Sequence, residues 1–389
     1  MFIELHMIQN FVPSNLNRDD TGSPKDCVFG GQRRARVSSQ CLKRSIRMND
    51  LFAAKTMVPV SERTQYLASL LMTALKDRDL PEEQVRTIAV ELAHEYTTKP
   101  GKAVKRDAND PEKTAILVFI SYQEINSIAE QLVAQWDDLT RDDESQKAVI
   151  KAVVNKMTKD FEKRVAAPDI ALFGRMLTSH PSLDLEAACQ VAHAISTHRV
   201  SMEMDYFTAV DDVREEHEEA GAGHINTFGF NSSCFYRYAR IDWGQLLKNL
   251  NGDADLARRT VEGFLRASIA AVPSGKQNST APLNPPSFLL AVVREDGMGW
   301  NLANAFEKPV TAGYNTSLVE ESIRALDRYW GKLETLYGGE TLTTVTSLNL
   351  DGSGLTHLNG TRAAANLNAW IGTVLDALPA AAEKGGSGS

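Results

Sequence analysis

The chain has 389 residues, 43% hydrophobic and 24% charged, the balance of a folded globular protein and not of a disordered one. At roughly 100–200 residues per domain it holds two or three domains' worth of material, and no stretch approaches the roughly 20 uninterrupted apolar residues of a membrane span. Net charge is −8, which taken alone points away from nucleic acid. Met1–Gln9 lacks the basic-then-apolar profile of a secretory signal. The four cysteines, Cys27, Cys41, Cys189 and Cys234, share no close spacing, so neither a disulfide scaffold nor a CxxC zinc site is expected. A reducing cytoplasm is the expected location.

Taken in chain order, Met1–Gln9 alternates with period two and predicts a strand. Residues 10–36 read as a polar loop punctuated by Pro24 and Gly30-Gly31. Ser38 is a good N-cap, and Leu42 with Ile46 makes an apolar i, i+4 pair, so a helix opens at Ser38-Ser39-Gln40. Gln40, Lys43 and Arg47 follow at i, i+3, i+7 and predict a polar stripe offset from that pair. Residues 61–165 are helical in pattern, with apolar periodicity over Tyr66–Leu75, Val85–Leu92, Ile116–Trp136 and Val149–Phe161. Beyond Pro168, Ile170, Leu172 and Phe173 suggest a strand, and Ala187–Ile195 a helix. Residues 203–226 are acidic and poorly periodic, predicting a long protruding loop or hairpin. Ser233–Ile241 and Phe288–Val293 read as strands, Leu256–Val272, Leu318–Tyr337 and Asn366–Leu378 as helices, and Pro273–Pro286 as a loop. Gly385–Ser389 (GGSGS) has flexible-linker composition and is set aside.

The charge is unevenly spread. Between Lys25 and Arg47 lie seven basic residues (Lys25, Arg33, Arg34, Arg36, Lys43, Arg44, Arg47) and one acid, Asp26. A dense basic island in an acidic chain suits a localised polyanion site, although an ordinary solvated face has the same composition. Phosphate binding needs cations and exposed backbone N–H groups in a fixed array. Arg18, Lys25, the Gly30-Gly31 turn, Arg33-Arg34, Arg36 and the Ser38 helix start supply both. Only Phe29 is an aromatic neighbour, which favours tracking a sugar–phosphate backbone over reading bases.

Other chemistries are weakly signalled. His193/His198 and His217/His224 lack HExxH spacing, and the acids Asp205, Asp211 and Asp212 suit a solvated loop better than a metal site. There is no GxSxG and no P-loop, so no catalytic residue, metal or cofactor is expected. Phe228-Gly229-Phe230 fits a strand better than an RNA-recognition aromatic motif.

One set of motifs is specific. Asn15-Leu16-Asn17-Arg18-Asp19-Asp20, Lys25-Asp26, Phe29-Gly30-Gly31, Arg33-Arg34, Ser38-Ser39-Gln40 and Leu42-Lys43-Arg44 resemble the backbone subunit of the type I-E CRISPR surveillance complex Cascade, the CasC family. Downstream, Ala171–Met176, Ala192–Ile195, Asp205–Asp212, Phe235–Ala239, Val272–Gln277 and Ala303–Lys308 extend the resemblance over nearly the whole chain. Residues 61–165 match by pattern more than by residue. Gln32 departs from the family, where a lysine is usual.

The resemblance implies an α+β fold: a modified RNA-recognition, ferredoxin-like palm with a helical fingers insertion and a protruding thumb loop. The palm would be built from residues 1–59, 166–199 and 230–384, the fingers from 60–165 and the thumb from 200–229. It implies contacts to the guide RNA by Arg18, Lys25, Ser38, Gln40, Lys43, Arg44 and Arg47. Apolar contacts to the guide–target duplex would come from Met176, Phe207 and the adjacent Thr208. Without the resemblance, core packing is the plainer account of Met176 and Phe207. Lys276 and Gln277 lie in a further loop matching the family, expected near RNA.

The implied function is non-catalytic: copies polymerise along one CRISPR RNA and present it for pairing with a target DNA strand in antiviral defence. The implied partners are neighbouring copies, the large and small Cascade subunits, the 5′-handle-binding subunit and the guide-processing endoribonuclease, with no membrane. The rival reading is a guide-dependent ribonuclease like type III filament proteins, using Asp19, Asp20 or Asp26. A blander rival is a general RNA chaperone.

Overall fold

The structure, a computed structural model, describes residues 1–159, 166–208, 225–352, 354–360 and 362–379. In chain order the elements begin β1 (Phe2–Ser14), β2 (Asp26–Phe29), β3 (Gln32–Val37), α1 (Ser39–Arg47) and α2 (Asp50–Thr56). Next come β4 (Glu62–Thr64), α3 (Leu67–Leu75), α4 (Glu82–Thr97), β5 (Val118–Ile120), α5 (Tyr122–Ala134), α6 (Trp136–Leu139), α7 (Asp143–Lys159) and α8 (Pro168–Phe173). After them run β6 (Cys189–Val191), β7 (Ala194–Ser196), β8 (Glu203–Thr208), β9 (Ile225–Asp242), α9 (Trp243–Asn249), α10 (Ala254–Ala270) and α11 (Gln277–Thr280). The last are β10 (Phe288–Arg294), α12 (Leu318–Tyr337), β11 (Leu342–Asn349), β12 (Arg362–Ala363) and α13 (Leu367–Asp376).

The chain divides into two units. The first comprises Met1–Phe52, Gln190–Ile241 and Val261–Pro379. Its sheet runs β12-β11-β10-β1-β9-β7-β3-β2, with β6 and β8 also paired to β9. In the first unit β1, α1, β7, β9, the Val261–Ala270 part of α10 and β10 give a βαββαβ order, and the spatial sequence β10-β1-β9-β7 is the ferredoxin-like arrangement. β1 pairs antiparallel with β10 from Phe2↔Arg294 to Ile8↔Phe288, and β10 pairs antiparallel with β11. Every residue of β10 is buried, as in strands covered on both faces. On one face Ile8, Tyr236, Phe288, Leu290 and Val292 share a core with Ile323, Leu326 and Trp330 of α12. α13 packs against β10 and β11, and its Trp370 Nε1 donates to the Thr346 carbonyl at 3.2 Å.

The second unit comprises Ala53–Cys189 and Asp242–Thr260. Helices α3, α4, α5 and α7 bury Leu71, Ile88, Leu92, Ile128, Leu132 and Val153 in one core. Ser121 and Glu124 cap α5 reciprocally, each side chain accepting the other's backbone N–H.

The structure corrects several expectations. Residues 10–36 are a loop only from Asn15 to Lys25: β1 continues to Ser14, and β2 and β3 form a hairpin turning at Gly30-Gly31. Gly30 has φ +58°, and an added Cβ there would lie 1.9 Å from the Glu307 carbonyl oxygen, so both the turn and the close approach require glycine. Ile170–Phe173 is helical because Pro168 sits in the first turn, where its fixed φ suits a helix; Asp169 then accepts from the Ser61 N–H and hydroxyl at 2.9 and 2.7 Å. Ala187–Ile195 holds β6 and β7, since pairing to β9 overrides the helical preference of its alanines. Ile116–Trp136 opens with the strand β5 before α5. Of the loop or hairpin expected over 203–226, the root is a hairpin as expected, with Glu203↔Phe230 to Thr208↔Ile225 in register; residues 209–224 lie outside the described residues, as does the end of the expected Val149–Phe161 segment.

Candidate nucleic-acid interface

The first unit brings the basic island together with two distant loops. The Asn15–Asp20 loop is shaped by its own side chains. Asp19 accepts from the backbone N–H groups of Thr21 and Ser23 at 2.9 and 3.0 Å and from the Thr21 hydroxyl at 2.7 Å. These hydrogen bonds, the Thr21 hydroxyl first, hold its carboxyl below the usual range. Asn15, fully buried, donates to the carbonyls of Gly22 and Gly229, tying the loop to β9. Asn17 receives the Ser38 N–H on its side chain at 2.9 Å and the Lys25 N–H on its carbonyl at 2.8 Å. The loop, Lys25 and the start of α1 are therefore one hydrogen-bonded body.

At that helix start the Ser38 hydroxyl accepts from the Cys41 N–H at 3.3 Å, as its N-cap role predicts. The Ser39 N–H donates to His193 Nδ1 at 2.9 Å, which leaves the imidazole proton on Nε2. Partial desolvation, then the cations Arg36 and Lys25, push His193 below its ordinary value. Burial raises the Cys41 thiol, against the opposing pull of Lys25 and Arg44. Lys25 and Arg44 thus act on Cys41 in the first turn of α1, and Arg36 and Lys25 on His193 beside it.

From the other side, the Val272–Gln277 segment closes on the loop. A Cβ added to Gly275 would lie 2.5 and 2.6 Å from the Asn15 and Leu16 carbonyl oxygens, so only glycine permits the approach. Lys276 takes a left-handed backbone (φ +50°), and its Nζ lies 5.3 Å from the centre of the Phe228 ring at the root of the β8–β9 hairpin. Between the Leu16–Gly22 loop, α1 and the Ala270–Gln277 segment lies an open cleft of about 880 Å³, where Arg18 and Arg44 meet the carboxylates Asp19 and Asp20 together with Gln277 and Leu16.

Of the expected contact residues, Arg18, Arg44 and Gln277 line this cleft; Gln40 is exposed, and Lys25, Lys43 and Lys276 are half-buried beside it in sequence. The expected stripe along α1 stays open only at its start. Arg47, 7% exposed, lies on the buried side with Leu42 and Ile46. The adjacent arginines of β3 separate as strand neighbours must. Arg33 is exposed and paired with Asp26, whereas Arg34 is fully buried and donates to the carbonyls of Ser196, Phe306 and Glu307. Arg34 therefore anchors the fold and does not offer a phosphate contact.

Met176 belongs to the second unit and is 80% exposed, which removes core packing as its explanation. The backbones of Phe207 and Thr208 pair with Asn226 and Ile225. Among the described residues no three His, Cys, Asp or Glu side chains gather as a metal site, and no helix is long and apolar enough to cross a membrane. Asn15, Asn17, Gly275 and His193 were not signalled as site residues by the sequence. The asparagine-rich run before Arg18 was the available cue for the first two.

An α+β protein with a ferredoxin-like sheet and an open polar cleft that gathers Arg18 and Arg44 is the class that this geometry defines. Within that class the chain belongs to the family described as CT1975-like protein, whose model matches residues 3–372. It is similar to a solved chain of a "CRISPR RNA-guided surveillance complex, pre-nicking", at 30% identity and a TM-score of 0.81, covering 97% of this chain and 100% of that one. A chain of a "CRISPR RNA-guided surveillance complex" shares the fold at 24% identity and a TM-score of 0.72, again over 97% of this chain and 100% of that one. No curated protein matches.

Proposed function

We propose that this chain is a guide-RNA-binding backbone subunit of a Cascade-type CRISPR surveillance complex, of the type I-E CasC kind. Copies of it line one CRISPR RNA, hold its sugar–phosphate rail and present its bases to a target DNA strand. The observation that carries this reading is the convergence of Arg18, Arg44 and Gln277 on one cleft, with Lys25 and Lys276 on the same loops, in a chain similar to parts of such complexes. Arg18, Lys25, Lys43 and Arg44 would meet phosphates, with Gln40, Ser38, Lys276 and Gln277 near the RNA. Met176, with Phe207 and Thr208 from the hairpin, would press against the guide–target duplex. Residues 1–59, 166–199 and 230–384 act as palm, 60–165 as fingers and 200–229 as thumb in this reading. Its partners are further copies, the other Cascade subunits and the target strand, in the cytoplasm.

The subunit acts by shape and charge and not by bond cleavage. Asp19 is held by its own turn, and Asp26 is paired with Arg33. The test is to incubate the chain with guide RNA, complementary RNA or DNA, and magnesium. Retention of an uncut target is the expected result. Cleavage at a regular interval, abolished by Asp19→Ala, Asp20→Ala or Asp26→Ala, would favour the ribonuclease. Equal affinity for any RNA would favour a chaperone.

A further inference from the structure

In the helical unit a buried ion pair adjoins a bare methionine. Met176 is exposed, yet Arg175 and Leu177 on either side are buried. Arg175 Nη1 donates to the two carboxylate oxygens of Glu124 at 2.8 and 3.0 Å and to the Phe119 carbonyl at 3.2 Å, while its Nε donates to the Leu183 carbonyl at 3.0 Å. Glu124 is itself fixed, because its Oε2 accepts from the Ser121 N–H and hydroxyl, both at 2.9 Å. The backbone is pinned as well: Arg175 and Leu185 exchange N–H···O bonds at 2.9 and 2.8 Å. The Leu177 N–H donates to Asp184 Oδ1 at 2.6 Å, and Leu177 sits in the helical core.

Arg175 forms a single bridge with Leu185, and Arg175, Met176 and Leu177 alternate buried, exposed, buried, so with its two neighbours held inward Met176 projects outward. A buried guanidinium–carboxylate pair is a poor means of gaining stability, since its desolvation opposes its attraction. An exposed methionine gains none either. Together they form an apolar knob whose backbone cannot recoil.

We propose that Arg175 and Glu124 are positioning residues for Met176, fixing where its thioether meets one step of the guide–target duplex. This rests on the reading of Met176 as a wedge. Unstacking a base step is costly, and a wedge that yields under load does not hold the step open.

The experiment assembles the full chain on guide RNA and pairs it with target DNA carrying 2-aminopurine at successive positions, whose fluorescence rises where stacking is broken. Wild type should show bright positions, and Met176→Ala should lose them. The double variant Arg175→Met with Glu124→Gln replaces the ion pair at similar volume. It should fall to the Met176→Ala level while retaining guide and thermal midpoint. Arg175→Lys, which keeps the charge but not the fork, should fall part of the way, and it carries the test if the double variant does not assemble. Unchanged brightness in Met176→Ala would overturn the wedge reading itself. A Met176-dependent signal that survives in the Arg175 variants, whatever their thermal midpoints, would overturn the positioning role alone.

Discussion

Gly275→Ala offers a way to move the cleft without removing a charge. The new methyl carbon would lie 2.5 Å from the Asn15 carbonyl oxygen, so the Asn15–Arg18 loop must retreat by about 1 Å to reach ordinary contact. If Arg18 moves with it, its guanidinium shifts from about 4 to about 5 Å from a bound phosphate. At an effective dielectric of about 20 this costs about 0.8 kcal/mol, or about fourfold in affinity for each occupied site. Fluorescence anisotropy with a short guide RNA, repeated over a range of salt, measures both the loss and its electrostatic origin. Arg18→Ala should lower the slope of log affinity against log salt by about 0.7–0.9, one phosphate's worth. Gly275→Ala should weaken binding with a smaller change of slope, because the charge remains. Wild-type affinity and slope in a folded Gly275→Ala protein would refute the argument that this loop sets the phosphate contact.

The neighbouring arginines of β3 should behave oppositely. Arg34→Ala strands three carbonyls and should cost about 3 kcal/mol, read from denaturant midpoints; Arg33→Ala should change stability by less than about 1 kcal/mol. Lys25→Ala and Lys43→Ala should each reduce the salt slope by about one unit or slightly less, and an unchanged slope for both would remove the phosphate assignment. His6 is pushed down to about 3, by complete burial and then by Arg294. With its folded value below its unfolded one, the stability it contributes is present above pH 6.5 and is lost as pH falls toward 3, by up to about 1.4 kcal/mol per unit. His180, His193 and His198 are lowered too, so the contribution of His6 is the part of the slope that His6→Gln abolishes.

What could be read from the sequence followed the strength of local signals. Helix α12 was visible over its full span because its apolar residues repeat with helical period, and in the structure Ser317 caps it. The Ser38 cap was equally plain. The β2–β3 hairpin was read as loop because four residues of its second strand are charged or polar and the burial of Arg34 depends on carbonyls supplied from residues 196, 306 and 307. Once β3 is known to be a strand, period two separates Arg33 from Arg34 without further information. The segment Ala187–Ile195 was misread because alanine favours a helix locally, whereas its fate is set by β9, roughly 40 residues away along the chain. Of the site, the charges were visible and the fit between Gly275 and the Asn15 loop was not, since no local pattern encodes contact across 260 residues.

The most direct measurement is to purify the chain from cells expressing it with its native partners and to identify the bound RNA. Several copies of the chain on one short RNA of uniform length, with a constant segment shared by every molecule and the RNA released by high salt, are the expected result. A particle carrying no RNA, or RNA of random sequence and length, would contradict it.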